Sequence, residues 1–265
     1  TSGMQEIIGY VAALLIGLSL GIIGGGGSIL TLPVLTYLMG VEPTLATAYS
    51  LFIVGSTALV GGAKAIWQKQ ADIKTALWFG APSIVAVYAT RKFILPAIPD
   101  AFGGLDKNVW IMLLFALIMI PAAFSMIKKP SQKAAKTPRK MEGAKALAYV
   151  MAEGTIVGIL TGLVGAGGGF LIIPVLVVVS GLPMKTAVGT SLLIVAAKSL
   201  IGFTGDLGKP MDWNLLLTVT GISIVGILVG MWVAKWISGE KLKPAFGYFV
   251  LVMAGYILFK EFWPM

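Results

Sequence analysis

Gly24-Gly25-Gly26-Gly27-Ser28-Ile29-Leu30-Thr31-Leu32-Pro33-Val34-Leu35 returns 141 residues later as Gly165-Ala166-Gly167-Gly168-Gly169-Phe170-Leu171-Ile172-Ile173-Pro174-Val175-Leu176. The match continues beyond the glycines. Gly40 meets Gly181, Ala46 meets Ala187, Ser50 meets Ser191, Leu51 meets Leu192, Leu59 meets Leu200 and Gly61 meets Gly202. The chain is therefore two copies of one module, each interrupted by glycine at the same place. In a membrane chain, paired interrupted segments in two halves point to a secondary transporter, with the substrate near the interruptions.

Composition sets the solvent. The chain is 57% hydrophobic and only 12% charged, with mean hydropathy +0.93. A soluble domain carries about a quarter charged residues, so lipid must face much of this surface. Apolar stretches long enough to span a bilayer recur, and charges gather between them. Period-two alternation is absent, which argues against a membrane barrel. The chain lacks both cysteine and histidine. Disulfides, thiolate metal sites, cysteine nucleophiles and imidazole bases are thus excluded, and with them most enzyme classes. We expect no enzyme and no cofactor. The net charge of +9 sits in connecting segments. It reads as topology and attraction to lipid headgroups, with no nucleic-acid partner. The expected partners are a small anion and membrane lipids, with a homodimer left open.

Five elements per half are predicted, all helical. They cover 5–23, 28–40, 44–63, 73–92 and 107–127, then 145–164, 169–181, 185–204, 212–236 and 243–262. The halves are 4–127 and 145–265, joined by a basic linker at 128–144; Thr1, Ser2 and Gly3 are set aside as a lead-in. Placing the linker in the cytoplasm puts fourteen bases inside. Five remain outside: Arg91, Lys92, Lys107, Lys209 and Lys260. The positive-inside rule then places both termini outside. An odd element count turns the halves into inverted-topology repeats. The second element of each half reaches only about 20 Å as a helix, against about 30 Å of hydrocarbon. It is a short or re-entrant segment whose glycine backbone must face protein or water.

Helices starting at Ser28 and Gly169 would present free amides and a positive dipole end. Gly25, Gly26, Gly27 and Ser28, with Gly167, Gly168 and Gly169, then form an uncharged cradle for a small oxyanion. Close helix packing is the alternative use of such glycines. Ser50 and Ser191 are symmetry mates one element later, with Thr190 adjacent, and their hydroxyls suit an oxyanion. Two charges fall inside spans, Glu153 and Lys198, opposite Ala12 and Thr57 in the first half. Intramembrane charges are functional candidates by default. Glu153 is a candidate proton carrier and Lys198 an anion attractor; an ion pair between them is the structural alternative. Asp72 and Asp212 precede the fourth element of each half and read as helix caps.

The run from Gly162 to Leu176, followed by Ala187-Val188-Gly189-Thr190-Ser191-Leu192, resembles the signature of the TauE/SafE family of sulfite exporters. A degenerate copy runs from Gly21 to Leu35 and from Ala46 to Leu51, with Tyr49 standing where the second half has Thr190. The resemblance covers nearly the whole chain. It implies movement of sulfite, organosulfonates or other small anions across a bacterial inner membrane. An anion channel, or a carrier of another small organic anion, is the competing reading of the same cradle.

Overall fold

The computed structural model describes residues 2–128, 143–164, 172, 173, 176 and 182–263. The linker and most of the second glycine element therefore lie outside the described residues. Among the described residues are eight long helices. The first half holds α1 (Ser2–Ile23), α2 (Pro43–Trp67), α3 (Ile73–Ala89) and α4 (Lys107–Ile127). The second holds α5 (Ala144–Val164), α6 (Met184–Phe203), α7 (Trp213–Val233) and α8 (Gly239–Phe262). Five of the eight are long and apolar enough to cross a membrane. The one sheet among the described residues is a two-strand hairpin, Ala101–Phe102 with Leu105–Asp106, ahead of α4. The all-α membrane class holds.

Local chemistry explains where the helices begin. Asp72 and Asp212 each accept a hydrogen bond from the amide three residues on, Thr75 and Leu215, at 3.1 Å in both cases. That is the expected capping role, satisfying one orphan donor at each helix start. Pro43 opens α2, where its missing N–H is harmless.

Two elements depart from expectation. The short segment of the first half does not begin as a helix at Ser28. Gly24 takes φ +69°, and a tight 3₁₀ coil runs over Gly24–Leu30, continuing through Thr31–Pro33 into a π turn at Val34–Leu38. Glycine takes that positive φ without penalty, so α1 stops there and the chain coils at once. The second departure follows α3. A π turn at Thr90–Ile94 and a last turn at Leu95–Ala97 prolong the helix. This carries Arg91 into the interior, where it is fully buried, and not to the outer end of the helix where the charge count placed it.

Each long helix finds its main partner in the other half. α1 lies along α7, and α5 lies along α3. α2 packs on α6, and α4 on α8. The secondary contacts exchange in the same way: α2 touches α7, and α6 touches α3. Small residues permit the close approach. A Cβ on Gly17 would strike the Ser223 carbonyl, and one on Gly158 would lie 2.5 Å from the Ser83 carbonyl. Gly17 and Gly158 are offset by 141, Ser83 and Ser223 by 140. The outward faces carry large apolar side chains such as Ile7, Val11, Leu77, Val85, Leu217, Val225 and Trp232, all exposed. In lipid these are the solvated surface.

Candidate functional site

The first glycine run lies against α6. The Gly25 amide donates to Ser191 Oγ at 3.2 Å, and Ser191 Oγ donates to the Val188 carbonyl at 2.6 Å. Ser28 is buried, and its Oγ turns back to the Gly25 carbonyl at 2.6 Å. A Cβ on Gly24 would come within 2.8 Å of Ser191 Oγ, and one on Gly27 would enter the backbone at Ser19 and Leu20. Gly26 sits between them in the 3₁₀ coil. The structure thus joins Gly25, Ser28 and Ser191, residues 163 to 166 apart in sequence, at one place. Gly167, Gly168 and Gly169 lie outside the described residues.

The other hydroxyls have different partners. Ser50 Oγ donates to the Thr47 carbonyl at 2.9 Å. Thr190 Oγ1 accepts from the Asp72 amide at 2.9 Å, and its sequence mate Tyr49 accepts from the Asp212 amide at 2.6 Å. Each half therefore ties its second long helix to the start of the other half's third.

Two cations are fully buried among the described residues. Lys198 on α6 donates from Nζ to Thr161 Oγ1 at 3.1 Å and has no carboxylate partner among the described residues. It is not paired with Glu153, which is half-buried on α5 with Oε2 unpartnered. Arg91 is the residue that sequence reasoning missed. Its Nε donates to Asp206 Oδ2 at 2.7 Å. Its Nη1 donates to Thr47 Oγ1 at 2.6 Å and to the Gly162 carbonyl at 3.1 Å. Its Nη2 has no partner among the described residues. One guanidinium thus joins α2, α5 and the turns after α3 and α6. Asp206 Oδ1 also accepts from Lys209 Nζ at 2.6 Å, and that lysine is 41% exposed. Removing one member of such a buried pair costs about 3–5 kcal/mol, because the other charge is left uncompensated.

One sequence signal pointed here. Only two of the twenty basic residues are arginines, Arg91 and Arg139. A guanidinium fork suits a buried, multiply bonded position better than an ammonium does. The partner Asp206 is 115 residues away and gave no local cue.

The family profile described as "Sulfite exporter TauE/SafE" matches residues 10–257. A "Probable membrane transporter protein" of Xylella fastidiosa (strain 9a5c) is 30% identical over 254 residues, 93% of this chain and 92% of the relative. The "Probable membrane transporter protein YunE" of Bacillus subtilis (strain 168) is 28% identical over 215 residues, 75% of this chain and 77% of the relative. A probable membrane transporter protein of Methanocaldococcus jannaschii is 38% identical over 118 residues, 42% of this chain and 44% of the relative. No solved structure matches the chain.

Proposed function

The chain belongs to the TauE/SafE sulfite exporter family and is a multi-pass membrane transporter; from that premise we propose that it exports a small sulfur-containing anion, sulfite or an organosulfonate, by alternating access. The observation that carries the mechanism is the exchange of helix partners between halves. Two modules that pack on each other through self-mated and exchanged pairs can rock about their shared interface. Motion of one module against the other opens the site to each side in turn. The halves are inverted repeats on this reading, with both termini periplasmic in a bacterial inner membrane. The linker, rich in lysine, lies in the cytoplasm.

An anionic cargo agrees with an interior that holds two buried cations and one fully buried carboxylate among the described residues. Outward movement of an anion follows the membrane potential, at about 2.3 kcal/mol per charge per 100 mV. On this reading Glu153 carries a coupled proton. The test is efflux of labelled sulfite from proteoliposomes containing the purified chain. Saturable efflux, stimulated by external unlabelled sulfite, is expected. Unsaturable flux without counter-stimulation would mark a channel and refute alternating access.

A further inference from the structure

Every fully buried charge among the described residues lies on one side of the pseudo-symmetric interface. The offset of the repeat pairs Lys198 with Thr57 and Asp206 with Ala65. In the helix after it the offset is 140, as the matched contacts of Ser83 and Ser223 require, and Arg91 pairs with Met231. The groove where α3, α5 and α6 meet therefore holds Arg91, Asp206 and Lys198. Its mate, where α7, α1 and α2 meet, holds Met231, Ala65 and Thr57. Both grooves are closed by the same glycine contacts. Packing alone is satisfied by the uncharged set, so the charged set does something else.

We propose that the cargo anion crosses through the charged groove only, with Lys198 and then Arg91 as its countercharges, and that Asp206 is a built-in anion that occupies Arg91 when no cargo is present. Lys198, Arg91 and Asp206 are all fully buried, and with Lys198 protonated they sum to one excess positive charge. A single anionic group balances it, whereas an unbalanced cation at this depth is costly. The two cations address consecutive residues of α5, Thr161 and Gly162, whose Cα atoms are about 3.8 Å apart. An anion leaving Lys198 thus meets Arg91 next. Three buried polar atoms without partners lie on α3 and the turn after it, Ser83 Oγ, Thr90 Oγ1 and Arg91 Nη2, with Ser83 against Gly158 and Thr90 against Gly162 of α5; the uncharged groove holds one such atom at Thr57 Oγ1. Buried polar groups of this kind need a ligand or water. Lys209, partly exposed, holds the other oxygen of Asp206. It keeps that carboxylate in place once Arg91 turns to the cargo.

The inference rests on the reading that the cargo is an anion, and the test separates the two. The second groove supplies substitutions that the fold already accepts at equivalent places. Lys198→Thr is one, and Arg91→Met with Asp206→Ala is the other; the paired change leaves no fully buried orphan charge, since Lys209 reaches solvent. Thr57→Val in the uncharged groove is the control. The purified full chain is titrated with sulfite, thiosulfate, sulfoacetate, phosphate and acetate, read by thermal shift, and sulfite efflux is measured in vesicles. Wild-type protein and Thr57→Val should agree within twofold. Lys198→Thr and the double variant should melt as cooperatively as wild type without anion, and should bind it ten- to a hundredfold more weakly, the usual worth of one charged hydrogen bond. Lys198→Arg should retain binding. Folded variants that bind within twofold of wild type would overturn the groove while leaving the transporter reading standing. So would a wild-type chain that none of the five anions stabilises. Wild-type vesicles that move no sulfur anion, with phosphate or acetate binding lost in both variants, would keep the groove and refute the sulfur cargo.

Discussion

Gly158→Ala tests the close approach of α5 to α3. The added Cβ would lie 2.5 Å from the Ser83 carbonyl oxygen and 2.7 Å from Ala86 Cβ, where ordinary contact begins at 3.4 Å. The helices must part by most of an ångström over that turn. Overpacking of this kind costs about 1–3 kcal/mol. Alanine returns up to about 1 kcal/mol through its better helix propensity, so the net loss should be about 1–2 kcal/mol. The repeat supplies a replicate and a control. Gly17→Ala meets the Ser223 carbonyl more closely still and should lose at least as much. Gly221 lies within α7 with nothing inside 4 Å of its Cβ. There the propensity term acts alone, and Gly221→Ala should gain up to about 1 kcal/mol. Unfolding in graded mixtures of SDS and mild detergent gives each value. A Gly158→Ala protein as stable as wild type, or a Gly221→Ala protein less stable than it, would refute the packing described here.

Three further outcomes are expected. A cysteine placed at Ser131, in this naturally cysteine-free chain, should resist impermeant maleimide in intact cells and react after permeabilisation; labelling from outside would reverse the topology. Tyr49→Phe removes the acceptor of the Asp212 amide and Thr190→Val that of the Asp72 amide. Each should cost about 1 kcal/mol for one lost hydrogen bond, read as a drop in melting temperature, and a large difference between them would deny the equivalence of the two links. Glu153→Gln should assemble normally and lose the pH dependence of sulfite efflux; an unchanged pH profile would remove this carboxylate from coupling.

The helices were legible because lipid makes hydrophobic length a direct signal. All eight long helices begin and end within about four residues of expectation, as apolar periodicity allows. Caps at Asp72 and Asp212 were legible because a carboxylate before an apolar run has one local job. Arg91 was not legible. It falls at the end of the element expected over 73–92, among the bases assigned outside, and the π turn that swings it inward is set by packing, which sequence does not display. The short element misled for a related reason. Ser28 is a good helix start by residue type, yet four glycines impose no preference of their own. Contact with α6 decided that the coil begins at Gly24. Lys198 stood out correctly as a charge within a span, but its hydroxyl partner, Thr161, is 37 residues away.

The exchange of partners also governs how the protein is made. While the first half alone is in the bilayer, α1 has no α7 to receive Gly17 and Gly21, and α3 has no α5. Arg91 enters the membrane 115 residues ahead of Asp206, which at ordinary synthesis rates is roughly 6–20 s without its counter-ion. The first half is thus an obligate waiting state. It cannot complete a core by itself. A chain cut within the linker should therefore yield two fragments that are degraded when expressed singly and that accumulate only when translated together, each acting as the folding template of the other.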